Sequence, residues 1–109
     1  MATESRDTEP LVIRDVIDVG MHHLTGMIDV QYSCENVSVE VERVASGYML
    51  DLRTWRDSAD CVRGPMPRDF GVRVDAPSDA VFVATLDGRP IDIALNRQNR
   101  ASLTREPSL

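Results

Sequence analysis

The chain has 109 residues, 18 of them acidic, with arginine supplying all 12 basic residues, a formal net charge of −6 and a sequence pI of about 4.7. That length holds one domain with a single modest core and leaves no room for a cofactor domain beside a substrate domain. Its acidity repels phosphate backbones and anionic membranes, and aromatics at 5% leave little for a base-stacking platform, so neither nucleic acid nor membrane is an expected partner.

Residues 1–10, with Glu4, Asp7 and Glu9 among small polar residues, read as a mobile acidic arm. Leu11 to Val19 (LVIRDVIDV) has apolar residues near helical spacing, yet its β-branched content predicts a strand. Gly20-Met21-His22-His23 reads as a loop or tight turn. Leu24 to Tyr32 alternates with a period of two and predicts a half-buried strand, with Gly26 as the site of a break or bulge.

Asn36 to Trp55 is the most legible stretch. Val37, Val39 and Val41 alternate with Ser38, Glu40 and Glu42, and Tyr48, Leu50 and Leu52 alternate with Met49, Asp51 and Arg53. A Ser46-Gly47 loop would set Val41 opposite Leu52 and Glu40 opposite Arg53, and a one-residue slip is forbidden because it moves every apolar side chain to the wrong face. After it, Asp57-Ser58 is expected to cap one helical turn reaching Arg63, stopped by Gly64-Pro65, with PMPRD as an extended connector.

Phe70 to Asp75 resumes alternation. Ala80 to Leu86 (AVFVATL) is apolar on both faces and predicts a strand covered on both sides at the centre of the core. Asp87-Gly88 is the strongest turn signal, a type I′ loop that would set Phe82 opposite Ile93 and Ala84 opposite Ile91, while Pro90 places the returning strand at a sheet edge. Residues 96–109 read as a polar basic tail. The expected architecture is therefore all-β, a small antiparallel β-sandwich or barrel of about seven strands with at most one short helix, in a single domain over residues 11–95.

Chemistry is sparse. His22, His23, Cys34 and Cys61 are metal-ligand types, but adjacent histidines on an extended backbone point to opposite sides and no short-spaced ligand pair occurs, so no metal and no cofactor are expected. The cysteines lack a CxxC spacing and are expected as reduced, buried thiols. There is no Gly-rich phosphate loop and no nucleophile motif, and the aspartates are expected mostly on polar strand faces or in loops, so the chain is not expected to be an enzyme.

No apolar run approaches the ~20 residues of a membrane span, and residues 1–10 lack the basic and apolar regions of a secretory signal, so the expected location is the cytoplasm or a virion assembled there. The absence of lysine fits a GC-rich coding background, and it also fits interface use of arginine, whose planar fork pairs bidentately with carboxylates.

The expected function is a non-enzymatic interaction or assembly module, an adaptor or accessory structural subunit of a larger complex such as a viral or phage component. Its partner would be another protein or a second copy of the chain. Leu11, Val12 and Ile13 are the expected contact, as a strand edge with little protection from charge, together with Arg97, Arg100 and Arg105 of the basic tail. The competing reading is a small-ligand-binding or metal-binding β protein using the His22-His23 loop and the 56–69 connector.

Overall fold

The computed structural model describes residues 9–57 and 61–99, and in it the alternating segments form eight strands with no helix among the described residues. They are β1 (Leu11–Asp18), β2 (Met21–Tyr32), β3 (Glu35–Val44), β4 (Gly47–Arg56), β5 (Arg63–Asp75), β6 (Phe82–Leu86), β7 (Arg89–Ile91) and β8 (Ile93–Asn99). Two separate four-stranded sheets result, one ordered β5-β2-β1-β8 and the other β3-β4-β6-β7, so the fold is a sandwich rather than a closed barrel. The all-β expectation holds. Antiparallel pairing does not hold throughout: β1 with β8 and β4 with β6 are parallel, because the chain changes sheet between β2 and β3, β4 and β5, β5 and β6, and β7 and β8.

The inward side chains form one core, including Ile13 and Leu24 from the first sheet and Leu50, Leu52 and Phe82 from the second. Fully burying each such side chain stabilises the fold by about 1.5–3 kcal/mol. Gly26 is not at a bulge. It lies opposite Phe70 with the ring against it, and an added Cβ would stand 2.5 Å from Phe70 Cζ. The register irregularity of β2 falls instead between Val30 and Tyr32.

The β3-β4 hairpin forms with the same apolar face as expected but a register two residues away. Val39 pairs with Leu52, Val41 with Leu50 and Val44 with Gly47, leaving Ala45-Ser46 as the loop. An even slip preserves the buried face, so the hydrophobic pattern excludes odd slips and is silent on this one. Gly47 is not a loop residue; it opens β4 at φ 151°, where a Cβ would collide with the carbonyl oxygen of Val81, the acceptor of the Tyr48 N–H at 2.9 Å.

Other expectations change as well. The turn after β1 is Val19-Gly20, with φ of 54° and 78°, so Met21, His22 and His23 belong to β2 rather than to a loop. Residues 63–69, including PMPRD, begin β5 instead of forming a connector. The prolines are tolerated there because β5 is an edge strand, where a missing N–H removes no ladder bond if it faces outward. Ser58, half of the expected helix cap, lies outside the described residues.

Asp87 and Gly88 both have positive φ, 50° and 86°, and Ala84 pairs with Ile91 as expected. Phe82 does not pair with Ile93, because the chain leaves the sheet at Asp92 and β8 joins the other one. Pro90 does lie on an edge strand, β7. Residues 80–86 are buried on one face only: Val81 and Val83 are exposed, since a two-layer sandwich gives every strand an outer face. The expected tail from residue 96 is shortened, for β8 runs through Asn99 on the strength of its pairing with β1.

Candidate functional site

Three side chains that could carry chemistry meet between the sheets, and alternation places them there. Asp15 shares the inward parity of Ile13 and Ile17, His22 that of Leu24, and Arg97 that of Ile93 and Leu95. Parallel pairing sets Asp15 beside Arg97, and antiparallel pairing brings His22 diagonally across from Asp15. The side chains of Asp15 and His22 are both 0% exposed, and that of Arg97 is 30% exposed.

His22 Nδ1 lies 2.9 Å and 3.0 Å from the two carboxylate oxygens of Asp15, and Nε2 lies 2.8 Å from the carbonyl oxygen of Pro77. A carbonyl only accepts, so Nε2 donates; a carboxylate that also accepts from Arg97 leaves Nδ1 to donate too. Arg97 Nε donates to Asp15 Oδ2 at 2.8 Å, while its two terminal nitrogens donate to the carbonyls of Ser78 (3.0 Å) and Ala80 (2.9 Å). Phe82 supplies an apolar wall, with its ring edge-on to His22 at 5.4 Å and 5.9 Å from the Arg97 guanidinium carbon.

The cluster thus ties β1, β2 and β8 to the segment between β5 and β6 that closes this end of the sandwich. An aspartate orienting a histidine is part of a nucleophile-activating arrangement, but Nε2, where a hydroxyl or thiol would have to sit, is bonded to the Pro77 carbonyl. What these residues do in this geometry is hold the end of the sandwich closed and fix the placement of β8.

The sequence-predicted contact residues gather around the same pair of strands. Ile13 is buried, Leu11 half-buried, and Val12 points outward, 62% exposed and paired in register with Ala94 of β8. The edge of β1 is nevertheless closed, since β2 bonds one side and β8 the other. Strand addition at Leu11–Ile13 was expected from a weakly protected edge, and the fold satisfies that edge internally. Arg97 turns inward to Asp15 rather than outward. Arg100 and Arg105 lie outside the described residues.

Each sheet has two edge strands, β5 and β8 in one and β3 and β7 in the other, and β8 has β1 as its sole strand neighbour among the described residues. It contains no proline, no glycine and one charged residue, Arg97, committed to the interior. Its outward residues are Ala94, Asn96 and Gln98, and Gln98 Oε1 is a buried acceptor without a donor among the described residues.

The metal-ligand residues do not converge. His22 and His23 point to opposite faces, Cys34 and Cys61 form a disulfide with Cα atoms 5.2 Å apart, and no group of three ligand-type residues suited to a metal occurs among the described residues. The bridge replaces the expected reduced thiols. It joins the β2-β3 turn to the residues entering β5, where the Ser33 N–H bonds to the Val62 carbonyl at 2.9 Å. Sequence spacing carries no sign of that approach. Among the described residues no helix is long and apolar enough to cross a membrane. No protein-family model, no curated protein and no solved structure matches the chain.

Proposed function

We propose that the chain is a non-enzymatic assembly module that self-associates through the outer edge of β8, as an accessory or structural subunit of a larger complex. The observation that carries this reading is the open, almost uncharged edge of β8. Natural monomers protect such edges with charge, proline or a bulge, and β8 presents none of these on its outward side. An antiparallel pairing of β8 with its counterpart in a second copy would be isologous and would join two four-stranded sheets into one of eight strands. The buried polar cluster supports the same reading, because it spends the chain's Asp-His pair on anchoring the strand rather than on an accessible reaction centre. The Cys34–Cys61 bridge favours an oxidising compartment, or a particle exposed to one, over the reducing cytoplasm.

Sedimentation equilibrium on the wild type and on an Ala94→Lys/Asn96→Lys variant tests the proposal. Both positions are exposed, and in a symmetric pair the added lysines crowd like charge along the new seam. The wild type is expected to dimerise reversibly and the variant to sediment as a monomer with an unchanged circular dichroism spectrum. A wild type that stays monomeric as its concentration rises, or a variant that dimerises equally well, overturns the reading.

A further inference from the structure

At the end of the sandwich away from the buried polar cluster, the sheets part around an open cleft of about 620 Å³. Its floor is apolar: Leu11 and Ile28 from the first sheet face Leu86 and Ile91 from the second, all four half-buried and packed against the core. The ionisable residues lining it are all acidic, Glu9, Asp29 and Asp92. All three are exposed, and none has a cationic partner among the described residues. Asp51 and Glu35, by contrast, each have an arginine partner, Arg53 and Arg56. An apolar floor within an unneutralised acidic rim has a definite complement, an apolar side chain carried beside a fixed positive charge.

We infer that this cleft binds an extended segment of a protein partner in which arginine or lysine alternates with large aliphatic residues. Alternation suits the geometry, since successive side chains of an extended segment point to opposite sides: the aliphatic ones enter between the sheets and the basic ones remain at the rim. The cleft volume lies within the ~300–1,000 Å³ typical of ligand sites, enough for a few side chains rather than a folded domain. The adjoining edge of β7 is unsuited to strand addition because of Pro90, so recognition rests on side chains and charge rather than on main-chain pairing. The inference does not rest on pairing at β8.

The test uses an acetylated, amidated hexapeptide of alternating arginine and leucine, titrated into the isotopically labelled chain and followed by amide chemical shifts. Two further probes serve as controls, an arginine-serine and a glutamate-leucine hexapeptide. Shifts are expected to concentrate at Met27–Asp29, Leu86 and Ile91–Asp92, with weaker binding at higher salt and none by the glutamate peptide. Asp29→Asn/Asp92→Asn should weaken binding roughly three- to tenfold, as expected for two exposed ion pairs. Glu40→Gln/Glu42→Gln, an equal charge change on the exposed face of β3, should leave it unaltered.

Three outcomes overturn the inference: shifts scattered over the acidic surface, equal weakening by both double variants, or equal binding of the arginine-serine peptide. Failure here and failure of self-association are distinguishable, because self-association is read by sedimentation without peptide and binding by shifts at Met27–Asp29 and Leu86, on strands that do not pair with β8.

Discussion

Replacing Asp15 by asparagine preserves the shape of the side chain and removes its charge. The carboxylate, an acceptor-only group, accepts from His22 Nδ1 and from Arg97 Nε, while His22 Nε2 and the terminal nitrogens of Arg97 donate to carbonyls. An amide keeps one oxygen to accept from Arg97 but turns an N–H toward His22 Nδ1, which can receive it only as a neutral ring, so the substitution strips the carboxylate's charge from both partners and leaves Arg97 without its counter-charge. His22 is fully buried and has no route to water, whereas Arg97 is partly exposed and can turn some of its guanidinium to solvent. Breaking one side of a buried charged pair costs about 3–5 kcal/mol. The solvent access of Arg97 places Asp15→Asn near the lower end, at about 3 kcal/mol. At ~4–8 °C per kcal/mol for a domain of this size, the midpoint of thermal unfolding should fall by roughly 12–24 °C.

Urea denaturation followed by circular dichroism measures the loss. A double-mutant cycle with Arg97→Gln should return a coupling energy of about 1–3 kcal/mol, because the two residues share a hydrogen bond and a charge. A loss below about 1 kcal/mol for Asp15→Asn, or additive single variants, would refute the argument that this cluster fastens β1, β2 and β8 to the segment between β5 and β6.

Val19 is β-branched and fully solvent-exposed at φ 54°, a conformation that costs such a residue roughly 1–2 kcal/mol. Val19→Asn should therefore stabilise the fold by about 1 kcal/mol in the same urea assay, and an unchanged or lowered midpoint would contradict the turn geometry. The Cys34–Cys61 bridge closes a sequence separation of 27 residues, for which the chain-entropy estimate is ~3.5 kcal/mol. Adding a reductant, or replacing both cysteines with alanine, should lower the unfolding midpoint accordingly. Intact mass before and after reduction and alkylation should show two thiols appearing only after reduction.

Most strands were legible because alternation records which face is buried, and the Asp87-Gly88 loop was legible because few residue pairs tolerate positive φ at both positions. Register was less so: the β3-β4 pairing sits two residues from its expected position, and the apolar face is identical in both. Topology was not legible at all. Parallel pairing of β1 with β8 joins segments some eighty residues apart, and nothing local in Leu11 to Asp18 distinguishes an internal strand from an exposed edge. The polar cluster did leave a signal. Asp15, His22 and Arg97 each fall on the apolar parity of their strands, where a charged or ionisable residue must find a partner or remain unsatisfied. The aspartates as a group belong to polar strand faces and loops, and in the sequence Asp15 departs from that rule by this parity alone.

The pairing of β1 with β8 also constrains the order in which the molecule can be completed during synthesis. The β1-β2 and β3-β4 hairpins have short loops and can form as soon as they emerge. The outer side of β1 has to wait until residues 93–99 have been made, and until then a largely apolar strand carries an unpaired row of N–H and C=O groups. During the same interval Asp15 lacks its arginine, so the interior of the nascent sandwich holds a carboxylate matched on one side only. The closing contact is long-range and loop closure of that length is slow to be rewarded. Partly made chains therefore pass through a window of vulnerability to mispairing with one another, and it closes with the final strand.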